Sequence, residues 1–526
     1  MEKYLKDFQN LSPTKPNTWL SHMSRIILAT LNARYIHASL GLRYLMANMG
    51  DLKNQTELKE FNCDARPIDI AETLLSGKPD IIGFGVYIWN VEQTTALIKL
   101  IKTISPETTI VIGGPEVSYE YEDSELLSLV DYLIIHQADQ AFATLCQSIL
   151  EQPSLPLPKV IHPKQPDILN LALPYPYYTD EDIANRVIYV EASRGCPFKC
   201  EFCLSALDKT AMPFNLDDFL QAMETLYQRG ARHFKFVDRT FNLNIKNSSR
   251  ILMFFIEKLQ QDHLFLHFEM IPDHLPDALK TLIKQFPAGT LQFEIGIQSL
   301  NPFVQQLISR KQHPEKTQDN LLWLHQQTSA HVHADLIAGL PGENLSSFAK
   351  GFNTLIDLQP DEIQVGILKR LKGTPIIRHT IDYDMRFSPI PPYNLLSNSE
   401  ISFDEMQRIQ RFARYWDLIA NSGRFTHTLP FILADSAFEN FMTLSNWLFE
   451  ETAQTHRISL ERLFRLIFVG LTTELSISPG QAEMALLNDF QKSGIKGRAK
   501  FMSQPSIEVK PHNPRQLGAR QQQHLQ

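Results

Sequence analysis

The chain has 526 residues, 43% hydrophobic and 21% charged, which is ordinary globular composition with length for two to four domains. A formal net charge of −8 argues against a generally nucleic-acid-binding surface, and no apolar run approaches the roughly 18–20 residues that span a bilayer. Three of the five cysteines are clustered, so they form no disulfide framework, and the reading is a reducing, cytoplasmic setting. The opening MEKYLKDFQNLSPTKPN is polar and lacks the apolar core of a secretory signal, and residues 1–22 are expected to be disordered.

Strands and helices then alternate over residues 23–152. RIILATL reads as a buried strand, and GLRYLMANM as a helix with Leu42, Leu45, Met46 and Met49 on one face. ELKEFN is a weaker strand. DIIGFGVYI, TTIVIGGP and DYLIIH are further strands, with the helix VEQTTALIKLIKTI between the first two. The alternation predicts the α/β class: a Rossmann-like, doubly wound parallel sheet of about five strands. Gly83, Gly85, Gly113 and Gly114 fall at C-terminal strand ends, where open α/β sheets bind ligands. Asn32, Tyr35 and His37 occupy the loop after the first strand. The proline-dense stretch 153–184 is expected to be a linker.

A second series follows over residues 185–395. RVIYVEA, HFKFVDR, LFLHFEM, LQFEIGI, VHADLIAGL and DEIQVGIL make the strands of an incomplete, TIM-type (β/α)6 barrel. Glu191, Asp238, Glu269, Glu294 and Asp335 fall at the C-terminal strand ends, where such barrels place their sites. Residues 396–505 read as a mostly α-helical region. Ser402 and Glu405 make a capping box, Ile401 and Met406 a staple, and Gly423 stands where a C-terminal cap belongs. The Gln-rich end, 506–526, is expected to be disordered. Two basic clusters, Lys369, Arg370, Lys372 and Arg378, and Lys492, Lys496, Arg498 and Lys500, read as solvated surface.

The chemistry concentrates in EASRGCPFKCEFCLSA, where Cys196, Cys200 and Cys203 follow the first barrel strand with Cys-x3-Cys-x2-Cys spacing. Such thiolates can converge on one soft metal centre. Structural zinc wants four ligands, and no fourth cysteine lies near. An iron–sulfur cluster on three thiolates leaves one iron open to a small molecule. A zinc knuckle closed by a distant residue, or three unrelated buried thiols, are the other readings. Gly195 and Pro197 suit a tight loop, and Phe198 and Phe202 would keep water from a cluster.

This loop, with an aromatic before its last cysteine, resembles the signature of the radical S-adenosylmethionine (SAM) superfamily. The resemblance implies a [4Fe–4S] cluster on Cys196, Cys200 and Cys203, with SAM chelating the open iron and cleaved to a 5′-deoxyadenosyl radical. FEIGIQSLN resembles the family's E-x-G-x-Q-S pattern, and DLIAGLPGE its G-x-I-x-G-x-x-P segment. By the same resemblance Asp238, Glu269, Glu294, Gln298, Ser299, Arg310, Asp335 and Gly339 would surround SAM. The N-terminal sheet resembles the cobalamin-binding domain of one branch of the superfamily, which would place Asn32, Tyr35, Gly85, Gly113 and Gly114 around cobalamin. The Asp-x-His-x-x-Gly signature that supplies a histidine to cobalt is missing, and His37 reads as a loop or packing histidine. The C-terminal region resembles an uncharacterised one found in that branch.

The function expected from the resemblance is methyl transfer to an unactivated carbon. Cobalamin-dependent cyclisation or rearrangement, and a non-catalytic iron–sulfur electron-transfer or regulatory protein, are the alternatives. The expected partners are a small-molecule or lipid-like substrate and a reductant such as flavodoxin or ferredoxin. No catalytic side chain beyond the cofactor ligands is legible.

Overall fold

The computed structural model describes residues 25–152 and 156–494. The disorder expected at both termini, and Lys496, Arg498 and Lys500, lie outside these residues. The chain divides into two compact units, one comprising the chain up to Arg34 with Gly41–Pro166, the other Tyr35–Leu40 with the chain from Asp167.

The first unit is built on β1 (Ile26–Asn32), β2 (Thr56–Asn62), β3 (Ile81–Gly85), β4 (Thr109–Gly113), β5 (Tyr132–Ile134) and β6 (Val160–Ile161). All neighbours pair in parallel, in the order β2-β1-β3-β4-β5-β6. Every residue of β1 is buried. Alternation sends Ile27, Ala29 and Leu31 into one apolar cluster, and Ile26 and Leu28 into another. An unbroken apolar run is therefore what a strand covered by helices on both faces requires. The sixth strand was not expected. Val160–Ile161 lies inside the proline-dense stretch and adds to the edge beside β5, where a missing N–H is tolerated. Farther on, Tyr175, Tyr178 and Ile183 of the same stretch are buried in the second unit's core.

The second unit carries β7 (Ile188–Val190), a short antiparallel pair of β8 (Ser193–Arg194) and β9 (Met212–Pro213), and then β10 (His233–Phe236), β11 (Phe265–Met270), β12 (Leu291–Gln298), β13 (His331–Ala338) and β14 (Glu362–Ile367). The parallel order is β14-β13-β12-β11-β10-β7. This is the expected six-stranded, incomplete barrel. Phe234, Phe236, Leu266, Phe268, Phe293 and Ile295 point outward into one core. The opposite face is polar: Lys235 pairs with His267, Glu294 with His333, and His333 with Glu362 across the strands.

The C-terminal helices are not set apart from this barrel. Phe403–Ile419, Ala437–Thr452, Leu460–Thr473 and Pro479–Lys492 contribute to the same apolar cluster as the barrel strands. The expected capping box is present at Ser402 and Glu405, and Ile401 and Met406 are both fully buried. Gly423 has φ +64° one turn beyond the helix end, with its N–H on Ala420 O. Just before it, Asn421 donates to Ile363 O (3.0 Å) and accepts from Ile363 N (3.2 Å) on edge strand β14. Both backbone groups would be unpaired in Asn421→Ala. The expected loss is about 2 kcal/mol or more of unfolding free energy, read from the denaturant midpoint; an unchanged midpoint would show that the helix is held without this clasp.

Candidate active site at the cysteine loop

The cysteine loop leaves the end of β7 and is closed by the β8–β9 pair. Gly195 has φ +90°, and a Cβ there would lie 2.3 Å from Thr210 O, so only glycine lets the two sides of the loop meet. Cys196 N–H donates to Asp208 O (3.0 Å), and Asp208 accepts from the Thr210 hydroxyl (2.6 Å). Between the second and third cysteines, Glu201 is buried. Its N–H donates to Ile308 O (3.0 Å), and its carboxylate takes the Ser309 hydroxyl (2.5 Å), His379 Nε2 (2.9 Å) and Arg378 Nη2. Below the loop, Asp238 accepts from Ala192 N (3.0 Å) and the Ser193 hydroxyl (2.6 Å).

All three thiols line a cavity of about 230 Å³ at the C-terminal end of the barrel. Phe198, Phe202, Arg239, Glu269, Glu294, Gln298, Arg310 and Asp335 share its wall. Among the described residues no three His, Cys, Asp or Glu side chains converge closely enough to hold a single metal ion. Three thiolates around one cavity could each take one iron of a multi-iron cluster. Burial pushes the Cys196 and Cys200 thiols up. At Cys200 this is opposed by Arg310, whose Nη1 donates to Sγ at 3.4 Å while Nη2 donates to Gly296 O.

The carboxylates of the cavity are held in different states. Arg239 Nη1 lies 2.7 and 2.9 Å from the two oxygens of Glu269. Burial, with the nearby Glu294 charge, still raises Glu269. Burial would also raise Glu294, but His267 Nε2 at 2.9 Å and Lys235 Nζ at 3.5 Å outweigh it and hold Glu294 well below the usual carboxylate range. His267 itself is pushed down to about 4 by burial, so it donates as a neutral ring. Gln298 is the strained residue of the wall. Its φ is +69°, it ends a bulge in the β12–β13 register, and its buried Oε1 has no hydrogen-bond partner among the described residues. Strain of this kind is kept where a side chain must be aimed.

Of the expected SAM residues, Glu269, Glu294, Gln298, Arg310 and Asp335 line the cavity. Asp238, Ser299 and Gly339 do not. Asp238 keeps the parity of Phe236, away from the cavity, where it holds the loop's entry, and the neighbouring Arg239 keeps the parity of Lys235 and stands on the cavity wall. The Ser299 hydroxyl donates to Glu343 (2.5 Å), a buried acid pushed up to about 7 by its burial. Gly339 has φ +89°, and a Cβ there would strike Leu395, so its bareness makes room for the chain's own C-terminal packing. Arg239 and Gln312 were missed by sequence reasoning; the polar residue beside each expected one was their only signal.

On the N-terminal sheet, Asn32 is buried and donates to Glu60 (2.9 Å). Tyr35 belongs to the second unit, where its hydroxyl donates to Glu181 (3.1 Å) and its ring lies under Arg186. His37 Nδ1 meets the Tyr189 hydroxyl at 2.7 Å, the packing role expected of it. A Cβ on Gly114 would strike Val86, and one on Gly113 would lie 3.2 Å from Ile134 O, so these two serve the backbone. A Cβ on Gly85 would meet only ordinary contacts, with Thr30 and Tyr87. What the sheet does present, between β1 and β3 where its order reverses, is an aromatic shelf: Tyr87 and Trp89 stack at 4.4 Å with planes 6° apart, and Trp89 is 47% exposed. Asn90 fixes that turn through Leu31 O and Gly85 O. A flat apolar face at the switch point fits a flat macrocycle such as a corrin.

Comparison with known families agrees with this geometry. Residues 26–146 match the B12 binding domain, 190–355 the Radical SAM superfamily, and 381–519 a protein family of unknown function (DUF4080). The chain therefore carries a B12-binding domain followed by a radical SAM domain. It is 24% identical to the uncharacterized methyltransferase PH0819 of Pyrococcus horikoshii, covering 60% of this chain and 72% of that one. It is also 24% identical to the cobalamin-dependent radical SAM methyltransferase TokK of Streptomyces tokunonensis, over 57% of this chain and 48% of TokK, so it spans about half of that relative. Its fold is that of TsrM from Kitasatospora setae, solved with cobalamin and a [4Fe–4S] cluster bound, with TM-score 0.54 and 15% identity over 89% of this chain and 100% of that one.

Burial pushes Asp238 up to about 7 against the two donors that favour its charged form. A carboxyl that holds its proton more tightly when folded stabilises the protein below its unfolded value near 4 and loses that contribution as pH rises through about 7. Unfolding free energy is therefore expected to decline between about pH 4 and pH 7, and to decline less in Asp238→Asn; parallel pH profiles for the two proteins would refute the assignment.

Proposed function

We propose that the protein is a radical SAM enzyme that uses a [4Fe–4S] cluster and cobalamin for methyl transfer to an unactivated carbon. The observation that carries this is a cavity walled by three thiols, an unpartnered amide oxygen and an ionised carboxylate. When bound, the cluster supplies an electron to the SAM sulfonium, releasing the 5′-deoxyadenosyl radical, and cobalamin carries the methyl group. The residues present fit both groups. Cys196, Cys200 and Cys203 would hold the cluster, with one iron left for SAM. Arg310 restrains the Cys200 sulfur. Ionised Glu294 favours the cationic sulfonium and ammonium of SAM by simple attraction. The orphaned Gln298 oxygen accepts from an ammonium or ribose hydroxyl. Phe198 and Phe202 shield the thiols from water.

A cavity and an unpartnered acceptor beside the thiols favour ligand turnover over a sealed electron-transfer centre. With this function go a small-molecule substrate, a flavodoxin- or ferredoxin-type reductant and a cytoplasmic setting; among the described residues no helix is long and apolar enough to cross a membrane.

Anaerobic reconstitution with iron, sulfide, cobalamin and dithionite tests the reading. Wild-type protein is expected to form 5′-deoxyadenosine from SAM and to show a corrin spectrum. Cys200→Ala is expected to keep its fold by circular dichroism but to lose cluster iron and all 5′-deoxyadenosine; full iron retention would contradict the ligand set. Gln298→Ala is expected to raise the SAM concentration for half-maximal cleavage about tenfold, the equivalent of one hydrogen bond of about 1.4 kcal/mol, with cluster iron unchanged. An unchanged SAM requirement would take Gln298 out of the SAM contact set.

A further inference from the structure

The polar face of the barrel contains a continuous row that the cofactor chemistry leaves unused. Asp361 stands at the N-terminal end of β14, its side chain 46% exposed. His331 Nδ1 lies 3.9 Å from Asp361, and His331 Nε2 lies 3.1 Å from Glu362 Oε1. The other oxygen of Glu362 lies 3.8 Å from His333 Nδ1, and His333 Nε2 lies 3.2 Å from Asp335 Oδ1. Asp335 lines the cavity beside the cysteines.

We propose that Asp361, His331, Glu362, His333 and Asp335 form a proton path between solvent and the cavity. The strand geometry is what builds it. His331, His333 and Asp335 share one face of β13, where residues two apart are separated by nearly 7 Å along the backbone; the His333 ring reaches Asp335 across one such interval by itself, and the interval between the two rings is left to another strand. Glu362, opposite His333 in the β13–β14 register, fills that interval and offers one oxygen to each ring. Each histidine thus meets one carboxylate with each of its two nitrogens. A ring so placed takes a proton on one side and releases one from the other. The His333 Nε2–Asp335 Oδ1 approach is close but not aligned as a hydrogen bond, and it and the two longer links close by a small side-chain rotation or through one bridging water.

The surroundings suit protonated intermediates. Burial would hold His333 neutral, but Asp335, Glu362 and Glu294 outweigh it and raise the ring above its ordinary value. Lys235, from β10, faces Glu294 on the same interior and balances its charge, and His267, from β11, donates to Glu294 as a neutral ring. A barrel interior needing only stability would be filled by branched apolar side chains, since buried ion pairs contribute little net stability.

The step balances as a proton transfer alone. A substrate X–H gives its proton to the Asp335 carboxylate, and Asp335 passes it to His333 Nε2. His333 Nδ1–H then passes a proton to Glu362, and Glu362 to His331 Nε2. His331 Nδ1–H passes a proton to Asp361 and so to water, leaving X⁻ in the cavity with no change in electron count. Resting on the radical-enzyme reading, this deepens it. The substrate is a small molecule with an ionisable hydroxyl group at or beside the reacting carbon, where deprotonation to the alkoxide weakens the adjacent C–H bond.

Full-length protein labelled with ¹⁵N-histidine tests the path by magnetisation transfer from water to the imidazole N–H groups. In wild type, the ring proton of buried His333 is expected to exchange measurably with water. In Glu362→Gln, exchange at His333 is expected to fall at least tenfold, while His331, which keeps Asp361, is unchanged. Equal His333 exchange in wild type and variant overturns the path. Should Glu362→Gln fail to fold, surface Asp361→Asn replaces it. There, slowed exchange at both histidines supports the path and unchanged exchange at both overturns it. Absence of 5′-deoxyadenosine formation with the exchange pattern intact would sink the enzyme reading and leave the path standing.

Discussion

Everything at the site depends on holding three thiols at the rim of a barrel in a loop with no regular structure of its own. Apolar packing cannot do this, because the loop must face a cavity. The chain uses buried polar groups instead. Asp238 binds the loop's entry through Ala192 and Ser193, Gly195 lets Thr210 close against it, and Glu201 ties its centre to Ser309, Arg378 and His379. Each such group would cost free energy if left unpartnered, so each has a defined geometry. Ser309 also immediately precedes Arg310, which touches Cys200. The clamp on the loop and the contact to its sulfur are therefore one connected network.

The same preference for polar order runs down the barrel. Its outward face is continuously apolar, from Phe234 through Phe268 to Phe293, and gives the unit its core. Its inward face carries Lys235, His267, Glu294, His333 and Glu362 in cross-strand register. One sheet thus separates its two tasks by the period-2 alternation of its strands: stability on one side, chemistry on the other.

That separation explains what could be read in advance. Long apolar strands and the cysteine spacing are local patterns, and both sheets, the six barrel strands and the thiol cavity follow from them. The capping box at Ser402 and Glu405 is local as well. What is not local depends on contacts distant in sequence. Asp238 takes the outward parity of Phe236 and Arg239 the inward parity of Lys235. Ser299 and Gly339 match a family pattern, yet Ser299 serves Glu343, and Gly339 serves Leu395 and Met406. Tyr35 follows β1 in the chain but folds with the second unit, because Glu181 and Arg186 there offer a charged edge to its hydroxyl and ring. The glycines of the first sheet were read as space for a ligand; Gly113 and Gly114 also let the chain's own backbone approach, at Ile134 and Val86.

The C-terminal helices follow from the incompleteness of the barrel. Six strands leave β14 as an open edge, with backbone groups that water or another strand would otherwise take. Asn421 satisfies both polar groups of Ile363 on that edge. Met406, from the helix that Asn421 follows, fills the space left by Gly339 beside the Pro341–Gly342 turn. A side chain at Gly339 would expel Leu395 and Met406 from the end of β13, the strand that carries His331, His333 and Asp335. Among the described residues the helical region thus packs on β13 and β14, the strands that carry Asp335 and Glu362, without lining the cavity.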